Sequence, residues 1–296
     1  MKTTLTILSL LIATVTIAQK SLQELADSQK IDKMINIDAP GDKPAADGSG
    51  TRPDLTKQPV RKIALVSFFV QDIGSQNPYK YIGLTSSGAN YLADQFLSQS
   101  IAELKSGFES QGMQLMTINE VLDSETKQQA YDNFELTVGK LAKAVTGFVS
   151  SMESAAMDGG IAASATADGY KLIPAILAAG DYKNNESMGQ LAKDLGVDAV
   201  MVAYIKTQTD NNSTTFFETS IATYGQNPTP RVDGKKYPGM SYNTGMFYGK
   251  SSISADKGIE IIERKKGDTV SENLNGYGKL MNQLASRLAT HLKSWE

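Results

Sequence analysis

The stretch that decides the fold is residues 188–206, MGQLAKDLGVDAVMVAYIK. Apolar residues in its first half recur at intervals of three and four, as on one face of a short helix, at Met188, Leu191, Ala192 and Leu195. Gly196 predicts the end of this helix, because glycine tolerates a left-handed backbone. Residues 199–205 form a continuous apolar run, which is typical of a strand covered on both faces. The stretch therefore predicts half of an α/β unit.

The composition is that of a globular protein and excludes several kinds of site. Of the 296 residues, 41% are hydrophobic and 21% are charged, and the net charge is −3. This acidic balance argues against a general nucleic-acid-binding protein, which carries a basic excess. Because the chain has no cysteine and one histidine, His291, it cannot form disulfides, thiolate zinc sites or multi-histidine metal sites. We expect no metal and no other cofactor.

The first 18 residues have the pattern of a secretory signal peptide. Lys2 provides the positive charge, residues 5–17 are mostly apolar, and Thr16 and Ala18 are the small residues before a cleavage site at Gln19. The apolar run of about 13 residues is shorter than the roughly 20 that span a bilayer, and no later segment is long and apolar enough. The pattern predicts an exported protein, periplasmic or associated with the outer membrane, without a transmembrane helix after signal cleavage.

Composition also predicts the domain organisation. Residues 38–59 are rich in proline, glycine, aspartate and alanine, so we interpret 19–59 as a mobile N-terminal segment and linker. The remainder, 60–296, is expected to form one α/β domain. That domain would carry a helical insertion around 123–179, including a mobile connection at 154–169, and a long loop at 225–245.

Periodicity places the other elements. Strand patterns occur at 63–70, 114–118, 207–224, 246–253 and 258–264, with a turn expected near 255–258. Helical patterns occur at 89–108, 134–149 and from Tyr277 to Leu292. Strands alternate with helices early in the chain and follow one another later. The order predicts an α/β sandwich whose sheet is part parallel and part antiparallel, flanked by helices.

Three segments together resemble a known group of cell-envelope proteins. They are the apolar strand at 63–70, the sequence TINEVL at 117–122, and GQLAKDLGVD at 189–198 with the strand that follows it. They are similar to the group that contains the N-terminal domain of TolB, the curli secretion channel CsgG and the penicillin-binding-protein activator lipoproteins. The resemblance implies an α/β domain that binds or helps to assemble envelope components without catalysis. The chain departs from the lipid-anchored members because it has no cysteine for a lipid.

Two Ser-x-x-Lys patterns, Ser124 with Lys127 and Ser254 with Lys257, have the spacing of a penicillin-recognising nucleophile, but its companion motifs are absent. Glu260 and Glu263 near Asp256 are paired carboxylates that could serve hydrolysis, although two strand positions three residues apart point to opposite faces. The glycine-bounded segment 83–88 could hold an anion ahead of a helix. A periplasmic hydrolase therefore remains an alternative.

A second alternative is a ring-forming outer-membrane secretion subunit, with 207–224 and 246–264 as membrane hairpins. Charged residues at Glu218, Lys250 and Glu260 interrupt these segments.

The loop at 225–245 and its border are the candidate partner-binding surface. Tyrosine and basic side chains dominate contact hot spots, and here they are Tyr224, Arg231, Lys235, Lys236, Tyr237 and Tyr242. A solvated loop without function would have the same composition. The favoured hypothesis is a non-enzymatic envelope protein whose partner is another envelope protein or a glycan, with oligomer formation possible.

Overall fold

The structure, a computed structural model, describes residues 21–40, 53–73, 91–136, 163–178, 182–210, 213–228, 244–265 and 269–296. The strands in these ranges are β1 (Asn36–Asp38), β2 (Lys62–Asp72), β3 (Gln114–Met116), β4 (Ala163–Thr166), β5 (Ala199–Thr209), β6 (Ser213–Gln226), β7 (Gly245–Lys265) and β8 (Thr269–Glu272). The helices are α1 (Leu22–Ala26), α2 (Ile31–Met34), α3 (Tyr91–Glu109), α4 (Ile118–Val121), α5 (Glu125–Asp132), α6 (Tyr182–Leu195) and α7 (Tyr277–Lys293), with a 3₁₀ helix at Pro174–Ala178.

One mixed sheet organises the fold, in the order β1-β7-β6-β5-β2-β3. Strand β2 runs parallel to both of its neighbours, β3 and β5. The pairs from β5 through β6 and β7 to β1 are antiparallel. β4 pairs with the end of β2, and β8 with the end of β7. The structure therefore confirms the predicted α/β class and the part-parallel, part-antiparallel sheet.

Helices cover both faces of this sheet, which explains why β2 is apolar along most of its length. Leu65, Phe68 and Val70 belong to a core shared with α1, α3 and α7. Val66 and Phe69 belong to a second core, shared with α4, α5 and α6. A strand covered on both faces has no solvent side, so alternation of polar residues disappears.

The N-terminal segment 21–40 packs onto the domain, in contrast to the mobile segment that composition predicts for 19–59. Leu25 is fully buried in the core that contains α7, and Asp27 accepts a hydrogen bond from Lys279 of that helix at 2.5 Å. β1 extends the sheet by pairing with β7. Gly276, with φ of 91°, allows a close approach, since a Cβ there would lie 2.4 Å from the Cα of Gln23. Few apolar residues anchor the segment, but they are deeply buried.

Three further predictions are corrected. Residues 163–166, within the expected mobile connection, form β4 because they find a backbone partner on β2. The turn expected near 255–258 is absent, since β7 runs unbroken from 245 to 265. Gly258, with φ of 70°, lies in an irregular stretch of that strand, between the residues paired with Glu218 and Phe216. The strand predicted at 207–224 is divided between the end of β5 and β6.

The segment TINEVL forms the junction between β3 and α4. The carboxylate of Glu120 accepts hydrogen bonds from the backbone N–H of Thr117 and from the ammonium of Lys105, both at 2.7 Å. The Lys105 bond and then the Thr117 bond hold the pKa of Glu120 at about 2. This reciprocal cap fixes the start of α4.

Candidate functional groove

A groove of about 690 Å³ lies between α5, α6 and the start of β7. We call it the α5–α6 groove. The described residues that line it are Thr126, Gln129, Ala130, Asn133, Phe134, Glu135, Glu186, Ser187, Gln190, Leu191, Asp194 and Thr244.

Glycines place α6, one wall of the groove, directly against the sheet. A Cβ on Gly189 would lie 2.3 Å from the Cα of Gly245 and 2.8 Å from the carbonyl oxygen of Gly225. A Cβ on Gly245 would lie 2.1 Å from the carbonyl oxygen of Asn185. Because real Cβ atoms do not approach this closely, the helix can lie here only if these positions lack side chains. The wall is therefore fixed by backbone contact.

Buried hydrogen bonds place α5, the opposite wall. The hydroxyl of Tyr131 donates to the carbonyl of Val66 on β2 and accepts from the backbone N–H of Lys171, both at 2.8 Å. Burial raises the pKa of Tyr131 to about 12. The ammonium of Lys171 donates to three carbonyls at the end of the helix, those of Tyr131, Asp132 and Phe134. A cation in this position also compensates the helix dipole.

The groove is acidic. Glu135, Glu186 and Asp194 line it, and none of its described lining residues is a lysine, arginine or histidine. Partial burial raises the pKa of Glu186, and the charge of Lys183 opposes this shift. The side-chain amide of Gln190 donates to Asp194 at 2.7 Å. The arrangement suits a partner that brings positive charge or hydrogen-bond donors.

A serine and the arrangement of acidic residues define what chemistry the described part of the groove offers. The hydroxyl of Ser187 donates to the carbonyl of Lys183, one turn earlier in its own helix, at 3.0 Å. This bond directs the hydroxyl hydrogen to the backbone of its own helix. Within the ranges that the structure describes, no group of three or more histidine, cysteine, aspartate or glutamate residues could hold a metal ion.

Tyr224, predicted as a partner-binding residue, is a core residue. Its side chain is fully buried, and its ring packs against Phe247 with centroids 5.5 Å apart. The sequence interpretation placed Tyr224 at the edge of a loop, but β6 continues to Gln226. The other five predicted residues, Arg231, Lys235, Lys236, Tyr237 and Tyr242, lie outside the described residues, as does the segment 83–88.

The first Ser-x-x-Lys pair has a structural role. The hydroxyl of Ser124 caps α5 by accepting from the backbone N–H of Lys127, at 3.5 Å. The ammonium of Lys127 donates to Asp123 instead, at 2.9 Å. Ser124 thus resembles an ordinary helix cap. In the second pair, Ser254 and Lys257 are exposed positions of β7.

The paired carboxylates also lie along β7. Asp256, Glu260 and Glu263 are all exposed, and Glu260 is paired with Thr215 and Glu263 with Ser213 of β6. They do not line the α5–α6 groove.

His291 and Asp198 both have structural partners. The ring of His291 packs edge-on against Trp295 with centroids 4.5 Å apart, at the end of α7. The carboxylate of Asp198 accepts from the backbone N–H groups of Arg61 and Lys62, both at 2.8 Å. Asp198 therefore holds the start of β2 against the start of β5.

Sequence reasoning missed the groove, although one signal for it was present. Glu186, Gln190 and Asp194 recur every four residues and so form a polar stripe along one side of α6. The opposite wall lies about 60 positions earlier in the chain, and nothing local relates the two helices.

A scan against protein-family models, a search of curated proteins and a search of solved structures each found no match for this chain. Separately, the helices in the described ranges include none with the length and apolar character needed to cross a membrane.

Proposed function

We propose that the chain is an exported, non-enzymatic cell-envelope protein that binds or helps to assemble envelope components. One observation carries the proposal: the three segments that resemble the TolB and CsgG group meet in the parallel part of the sheet. The first segment is β2. On one side it pairs with β3, which leads into the TINEVL segment, and on the other side it pairs with β5, which follows α6. Segments far apart in sequence thus form one parallel unit, as a shared domain pattern requires.

The proposal assigns binding to the α5–α6 groove. Its walls are fixed by the glycine contacts of α6 and by the hydrogen bonds of Tyr131, so a partner would meet a preformed surface. A partner that binds a preformed site loses less free energy to the ordering of flexible groups.

Two alternatives remain distinguishable. The raised pKa of Glu186 in a groove is the observation that favours a hydrolase. If the wild-type protein hydrolyses an envelope polymer and the Glu186→Gln variant does not, the protein is a hydrolase and the proposal of a binding function is wrong. The second alternative, a ring-forming outer-membrane subunit, needs β6 and β7 as membrane hairpins. The packing of Phe216, Ile221 and Ile253 in the core shared with α7 argues against that role.

Export is tested by cell fractionation. In cells that make the full chain, we expect a processed form that begins at Gln19 in the periplasmic or outer-membrane fraction. Leu10→Arg should hold an unprocessed chain in the cytosol, because a charge interrupts the apolar run. Leu10→Ile, which keeps the run apolar, should be exported like the wild type. A wild-type chain that stays unprocessed in the cytosol refutes the proposed export.

A further inference from the structure

We propose that the α5–α6 groove binds a basic peptide segment of an envelope protein, through lysine or arginine side chains that meet Glu135, Glu186 and Asp194. This inference rests on the proposed binding function and names the chemistry of the partner.

The described residues do not neutralise the charge of the groove by salt bridges. Among the described residues, none of its three carboxylates forms a salt bridge. Lys171 donates to the carbonyls at the end of α5, and Lys127 donates to Asp123. The charge of Lys183 acts on one groove carboxylate, that of Glu186. A partner that brings complementary charge would meet these carboxylates, and such complementarity selects partners and guides their approach.

Apolar groups in the groove fit the same side chains. Leu191 is buried, and Ala130 and Phe134 are half-buried. Lysine and arginine lay their methylene stems along apolar surface while the charged head reaches a carboxylate. A neutral glycan would use the amides and the aromatic ring but would leave the three carboxylates without cations.

The spacing of the carboxylates sets the spacing of the cations. Glu186 and Asp194 are eight positions apart on α6, and at a rise of 1.5 Å per residue they are separated by about 12 Å along the helix axis. An extended peptide advances about 3.3 Å per residue and places every second side chain on one side. Cations four residues apart are separated by about 13 Å on the same side of the peptide, so this spacing matches the groove.

Fluorescence anisotropy tests the inference. The probe is a labelled serine–glycine peptide with two lysines four residues apart. Comparison probes are the same peptide with adjacent lysines, the peptide with glutamine in place of both lysines, and a tetramer of N-acetylglucosamine as competitor. The groove variant is Glu135→Gln, Glu186→Gln, Asp194→Asn. The matched control, Glu103→Gln, Glu109→Gln, Asp256→Asn, removes the same charge from exposed positions elsewhere.

We expect the wild type to bind the spaced lysine peptide best. The groove variant should weaken that binding by about tenfold, because it removes the carboxylate charges that the two lysines would meet, and the control variant should weaken it by about twofold or less. Glu186→Gln alone should give an intermediate loss. Thermal unfolding of each variant confirms that it is folded.

Three results overturn the inference: no binding of the lysine peptide by the wild type, equal weakening by both triple variants, or binding of the sugar tetramer alone through the groove. In the last case the proposed envelope-binding function stands with a glycan as partner. If the wild type binds neither probe and also fails to reach the envelope, the proposed function fails as well.

Discussion

Gly245→Ala should lower the free energy of unfolding by about 3 kcal/mol, as expected for an added methyl group in a fully packed contact. The new Cβ would lie 2.1 Å from the carbonyl oxygen of Asn185 and 2.9 Å from the Cα of Glu186. Both are backbone atoms of α6, so the overlap cannot be relieved by a rotamer change, and the helix must move away from β7. Urea unfolding gives the change in free energy.

Gly249→Ala is the matched control on the same strand. Its Cβ would meet the Cδ1 of Leu288 at 3.2 Å, the end of a flexible side chain. We expect a change below about 1 kcal/mol, because a side chain can shift where backbone cannot. Similar losses for the two variants would contradict the close contact between α6 and the sheet. Because α6 is a wall of the groove, Gly245→Ala should also weaken binding of the lysine peptide.

Tyr277→Ala should lower the free energy of unfolding by about 4 kcal/mol, the usual range for removing a large buried aromatic side chain. Tyr277 is fully buried, and its ring lies edge-on to Phe96 of α3, with centroids 4.5 Å apart. Its hydroxyl is 3.0 Å from that of Thr219 on β6. The side chain therefore joins α7, α3 and the sheet.

Tyr277→Phe separates packing from hydrogen bonding. It keeps the ring and removes one buried hydrogen bond, so we expect a loss of about 1 kcal/mol. Thr219 keeps a hydrogen bond to the carbonyl of Tyr204 at 3.2 Å. Equal losses in Tyr277→Ala and Tyr277→Phe would show that ring packing does not hold α7 in place. Both are measured by urea unfolding, as for Gly245.

Strong local periodicity explains which parts of the fold were predictable. The helix at 188–195 ends at Gly196, whose φ of 68° is the left-handed conformation that its sequence predicts. The apolar runs at 63–70 and 199–205 pair as parallel strands because both need cover on two faces. The helix from Tyr277 onward has the predicted buried face.

Features that depend on contacts distant in sequence were not predictable. Tyr224 was assigned to the surface because a loop composition begins beside it, whereas its pairing with Val200 continues the strand into the core. β4 has no periodicity of its own and exists because β2 offers it a partner. The groove likewise depends on how α5 and α6 are placed by Lys171 and by Gly245.

Site-specific photo-crosslinking in cells tests the central claim, that the protein binds an envelope component through the α5–α6 groove. A photoreactive residue replaces Gln190 in the groove or, as control, the exposed Ala102 on α3, across the sheet. The account predicts a discrete adduct in the envelope fraction from position 190, absent from position 102 and lost when Glu135, Glu186 and Asp194 are neutralised. The same adducts from both positions, or none from position 190 while the protein is in the envelope, would contradict it.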